Sequence, residues 1–107
     1  MLTMDFVTGA KAERDALALT YAAADASSKV GAILAEADLS EAQREKVISA
    51  LDQALTDAFY TMLLALDGAA SLGTKQQSYR LISEDGTLIS NGNGSLEAAA
   101  FDVFQSA

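Results

Sequence analysis

Three arrangements in this sequence carry residue types that could do chemistry, and spacing decides what each can do. The run from Gly68 to Lys75 is built of small residues and ends on a cation, as a phosphate-cradling loop does. Such a loop needs Gly-Lys-Ser/Thr in that order, and it leaves a strand to open a helix. Here Thr74 precedes Lys75, and the run follows a helical stretch and leads into an alternating one, so a connector is expected. Asp85 and Gly86, with Asn91, Asn93 and Glu97, offer oxygen ligands for calcium. No register among them supplies the oxygens that an EF-hand loop requires around its central Gly, and turn and capping duties account for each. Glu41, Glu45 and Asp52 are the third set. Paired carboxylates do acid–base work when they are buried together, but these are interleaved with Arg44 and Lys46 and read as a solvated helix face.

Composition narrows the chemistry further. The chain has 107 residues with no Cys and no His. A thiol nucleophile, a disulfide framework, Cys- or His-ligated zinc and an imidazole shuttle are therefore absent from its repertoire. No Lys has a Ser three residues before it, so the Ser-x-x-Lys nucleophile is missing too. These residues lead us to expect no enzyme, no cofactor and no metal.

Charge points toward partners instead. Fifteen acidic and seven basic side chains leave a net charge of -8, with a pI near 4.2. Direct binding to nucleic acid draws its affinity from Lys and Arg on phosphates, and anionic membranes attract basic segments, so neither is expected. A negative field steers toward basic partners and raises encounter rates with them. It also serves a soluble protein that binds nothing. The longest apolar run, Ala58 to Leu66, contains Thr61 and falls far short of the ~20 residues that span a bilayer. Met1 to Asp5 show no basic n-region or apolar h-region of a secretory signal, so cytoplasm is the expected compartment.

The elements that would position these residues follow from periodicity. One domain, 1–107, is expected from length. From about Ala10 to Ala37 the composition favours helix, with Leu17, Tyr21 and Ala24 on one face. Ser28 and Gly31 could break this stretch or admit another backbone closely, and one helix or two both remain open. Ser40 to Gln43 reads as a capping box. Behind it Val47, Ile48, Leu51, Leu55, Phe59, Met62 and Leu66 recur at spacings of three and four until Gly68 stops the helix. Its second half, Phe59 to Leu66, is apolar nearly all round and must be covered all round. The rest of the chain, a second copy or another partner would do so. Residues 77–83 and 87–90 form a hairpin about Glu84 to Gly86, with Tyr79 and Leu81 on one face and Arg80 and Ile82 on the other. An isolated ribbon is marginal in water, so it must lie against the helices. Ser95 would cap a last helix carrying Leu96, Ala100, Phe101, Val103 and Phe104. The expected fold is α+β and mostly helical, in the order α-α-β-β-α.

Within it, Glu36, Asp38, Glu41 and Glu45 crowd the connection between the two long stretches and form a negative knob for Lys and Arg of a partner. Acids near a helix N-terminus also favour its dipole. Tyr60, at the junction of the polar and apolar halves of the second helix, is a further contact candidate. It also suits a core position with its hydroxyl at the rim. In size, acidity and helix content the chain resembles small immunity proteins and phage-encoded inhibitors, including anti-CRISPR proteins and DNA mimics; no motif carries that likeness. The resemblance implies an inhibitor that occludes a basic protein surface, such as that of a nucleic-acid-binding protein. The alternative is a structural or adaptor protein forming a homodimer through its apolar helix, and the third reading is a small carboxylate-dependent enzyme.

Overall fold

A computed structural model describes residues 2–105. Helix α1 (Leu2–Ala22) is followed by α2 (Lys29–Glu36) and α3 (Glu41–Leu66). Strands β1 (Leu81–Ile82) and β2 (Leu88–Ser90) then pair antiparallel, and α4 (Ser95–Ala100) runs into a π-helical turn, Phe101–Gln105. The layout is the mostly helical α+β one expected, with the first helical stretch starting earlier than Ala10 and divided in two.

The division has local causes. Ala24 adopts a left-handed conformation, with φ of 52°. The Asp25 carboxylate accepts from the amide and hydroxyl of Ser27, and the Ser28 hydroxyl accepts from the Gly31 amide at 2.9 Å to start α2. Gly31 is where this turn rests on α2: a methyl group there would fall 2.4 Å from the Asp25 carbonyl oxygen. Both readings of Ser28 and Gly31 are thus realised, a helix break and a close backbone approach. Asp38, also left-handed at φ 52°, turns the chain into α3. The capping box forms as its spacing predicts: the Gln43 amide donates to Ser40 Oγ at 3.2 Å and the Ser40 amide to Gln43 Oε1 at 2.9 Å. Gly68, with φ of 80°, closes the other end of α3.

The buried core sits at one end of the molecule. Val7 of α1, Leu63 of α3 and Leu96, Ala99 and Ala100 of α4 are buried together, with Met4, Phe6, Tyr60, Val103 and Phe104 packed around them. Leu96 and Val7 are fully enclosed. Truncating such a Leu to Ala costs about 2–5 kcal/mol. The hairpin lies against this end, where the Thr3 hydroxyl donates to the Ile89 carbonyl at 2.5 Å. Tyr79 and Leu81 are half-buried and Arg80 and Ile82 exposed, as alternation predicts.

One expectation at the C-terminal end needs correction. Ser95 is the first residue of α4 rather than its cap, and the residue before it, Gly94, has no side chain to cap with. The capping carboxylate comes from Asp67, which accepts from the amides of Gly94 at 3.1 Å and Glu97 at 2.8 Å. Of the apolar residues carried by this last helix, Leu96 and Ala100 are buried and Val103 and Phe104 pack on the core, while Phe101, where the α-helix widens to a π turn, is exposed.

The connections around α3's end are tied by a close joint. The Tyr79 amide donates to the Leu66 carbonyl at 3.2 Å, and Ser78 beside it lies between Gly68 and Gly92. A methyl on Gly68 would fall 2.6 Å from Ser78 Oγ, and one on Gly92 2.5 Å from Ser78 Cβ.

The other end has little interior. Around α2, the last turns of α1 and the first half of α3, only Arg14, Gly31 and Leu34 are buried among the described residues. Arg14 ties α1 to α3 through an ion pair with Asp52 and bonds Asp15 at 3.1 Å. The outline is elongated, 47 × 29 × 27 Å, with a radius of gyration of 16.3 Å, where a compact chain of this length gives about 13 Å. No helix among the described residues is long and apolar enough to cross a membrane.

Candidate functional site: an acid-lipped groove

The sparse end of the molecule is where the candidate site forms. The last turns of α1 present Ala18, Leu19 and Tyr21, and the first half of α3 presents Ile48 and Leu51, to a shared groove of about 430 Å³. Its floor is apolar because α3 turns its three-and-four stripe toward α1. Leu19 is 75% exposed at this groove, and Ile33 of α2 is 65% exposed. Glu45 and Asp52 stand at the lip.

Of the two lip acids, Asp52 is paired with Arg14 of α1, whereas Glu45 is in no ion pair among the described residues. Lys11 bonds both oxygens of Asp15 at 2.9 Å, and Arg14 is buried between Asp15 and Asp52. Both cations are directed at carboxylates of the chain itself.

The four acids singled out at the helix connection are all exposed. Glu36 is the last residue of α2, Asp38 makes the turn, and Glu41 opens α3. Glu45 follows one turn later on the same face as Glu41. None of the four takes part in an ion pair among the described residues. Glu45 belongs both to this acidic corner and to the groove, and so joins the two. Tyr60 lies elsewhere: it is half-buried against Phe104, with ring centroids 6.4 Å apart and planes tilted by 38°. Nineteen residues of helix separate it from Glu41, about 28 Å along the axis.

Helical periodicity places Leu19 off the Leu17–Tyr21 face, yet Leu19 and Tyr21 both line the groove, and nothing in the spacing pairs them with Ile48 and Leu51 of α3.

Among the described residues two carboxyls have their acidity shifted, and both are exposed on turns. Asp85 is held down to about 2 by the Ser83 hydroxyl first, then by the hydroxyl and amide of Thr87. Asp25 is lowered in the same way by the hydroxyl and amide of Ser27. A general acid at neutral pH needs the opposite shift, so these two groups serve their turns. No group of three or more Asp and Glu that could hold a metal ion occurs among the described residues.

The chain matches no protein-family model, no curated protein and no solved structure. The groove and its acidic corner therefore carry the functional argument by themselves.

Proposed function

We propose that this chain is an acidic, non-catalytic protein-binding module of the cytoplasm that inhibits a partner by covering a basic surface on it. The observation that supports this reading is the apolar groove with unpaired Glu45 at its lip, Glu41 one turn away on the same helix face, and Glu36 and Asp38 exposed in the connection that leads into α3. Docking begins with attraction between these carboxylates and Lys or Arg of the partner, which raises the encounter rate and fixes orientation. Leu19, Ile48 and Leu51 then supply the apolar centre of the contact, where a few buried anchors carry most of the binding energy. One placement favours a binding role over a purely stabilising one: Glu36 sits at the C-terminal end of α2, where the helix dipole disfavours an acid.

The test begins with a lysate pull-down at low and high salt, followed by association kinetics with the captured protein. A basic protein, released by salt and inhibited in its own activity by the chain, is the expected capture. The double variant Glu41→Lys, Glu45→Lys should then lower the association rate by on the order of tenfold at low salt, with the helical circular dichroism unchanged. An unaltered association rate in that variant overturns the proposal.

A further inference from the structure

The opposite end of the α1–α3 pair holds a second opening of different chemistry. Phe6 and Ala10 of α1 and Phe59, Met62 and Leu66 of α3 line a slot of about 380 Å³. It is the open side of the α3 segment that is apolar all round. The core cluster and α4 cover one side of that segment, while Met62 remains 50% exposed on the other. We infer that a second copy of this chain covers this slot, making a two-fold dimer through the first half of α1 and the second half of α3.

Charge selects the occupant. None of the residues lining the slot is titratable, so a basic partner finds nothing there to pair with. A chain of net charge -8 repels its own copy least where the contact itself is uncharged. The groove with Glu45 and Asp52 at its lip is closed to self-association on the same ground.

Shape fits as well. In a two-fold contact the same patch serves both copies, so Met62 of each copy is the knob for the other's slot. Exposed Ala58 and half-buried Ala10 keep the helix surfaces low enough for close approach. This inference is independent of the proposed inhibitory role, because it uses the other end of the molecule.

Sedimentation equilibrium over about 1–100 μM protein, at low and high salt, is the test. The expected result is twice the 11.1 kDa chain mass, with association unchanged or tighter in high salt because burial is apolar. A monomer at all concentrations overturns the inference and leaves the slot to another occupant. Met62→Glu should weaken the dimer on the order of a hundredfold, by burying an unpaired charge in each copy. Leu19→Glu, in the acid-lipped groove, should leave it unchanged; the reverse pattern overturns the inference. Should Met62→Glu fail to fold, Ala58→Cys decides. The chain has no other Cys, so a nitroxide attached there should report its counterpart by pulsed dipolar spectroscopy, and absence of dipolar coupling overturns the slot as the interface.

Discussion

The carboxylate of Asp67 and the amide of Glu97, 30 residues apart in sequence, meet at 2.8 Å. With its other oxygen on the Gly94 amide at 3.1 Å, Asp67 ends α3 and begins α4 at once. The side chain is buried, so water cannot replace it.

Asp67→Ala should therefore lower global stability by about 1–2 kcal/mol, the usual worth of a helix cap. Asp67→Asn keeps an acceptor oxygen and should lose less. Urea unfolding measures both, and a wild-type midpoint in Asp67→Ala would contradict the capping role.

Acid should loosen the hairpin turn only when the pH approaches 2. The Asp85 carboxyl is lowered from 3.8 to about 2 by bonds from Ser83 and Thr87. A depressed folded-state value means that the ionised group favours the folded turn. That contribution is complete above pH 3.8 and disappears as pH falls through about 2. A chemical-shift titration should place the Asp85 midpoint near 2, and Asp85→Asn should remove the corresponding acid-linked change at Thr87.

Two helical glycines should respond with opposite sign. Gly9 has open space around it, so Gly9→Ala should stabilise α1 by about 0.5–1 kcal/mol. Gly31→Ala places a methyl 2.4 Å from the Asp25 carbonyl oxygen, and that strain, about 1–3 kcal/mol for an overpacked site, exceeds the helix gain. Thermal unfolding of the two variants at one protein concentration checks the contrast.

Arg14 gives a test of the tie between α1 and α3. It is buried against Asp52 and Asp15, and its Nε hydrogen bonds to nothing. Its partners Asp15 and Asp52 are about half exposed, so an apolar side chain of similar length at 14 strands no buried charge. Arg14→Met should thus change stability by less than about 1 kcal/mol, whereas Arg14→Ala, which also loses the packing of the stem, should be clearly destabilised. Denaturant unfolding distinguishes the two. Equal loss in both variants would show that the charge pairing, and not the stem, holds the helices.

Local signals were legible in the sequence where the interaction spans a few residues. The Ser40–Gln43 box, the Gly68 stop and the hairpin around Asp85 each close within one turn, so spacing alone reveals them. The open choice at Ser28 and Gly31 is settled by the Asp25 backbone, which sequence patterning does not position. The cap of α4 was assigned to Ser95 because capping is usually local, whereas Asp67 reaches it across 30 residues. The acidic corner was visible as composition. The groove beside it was not, because Leu19 and Ile48 belong to different helices and meet only once α1 and α3 are side by side. Tyr60 was legible as a boundary residue, and the ring of Phe104, 44 positions later, gives it its packing.

Ser78 counts as exposed, and exposed positions ordinarily drift freely between related sequences. The glycines at 68 and 92 leave this one little freedom, since each brings bare backbone against the serine from a different connection. In a saturation library, position 78 should therefore accept Gly and Ala and reject branched or aromatic residues. Positions 68 and 92 should stay glycine whatever stands at 78, because both combine positive φ, 80° and 78°, with contact on the serine. Two fixed glycines and one small residue would then mark the joint that links the end of α3, the approach to the hairpin and the approach to α4.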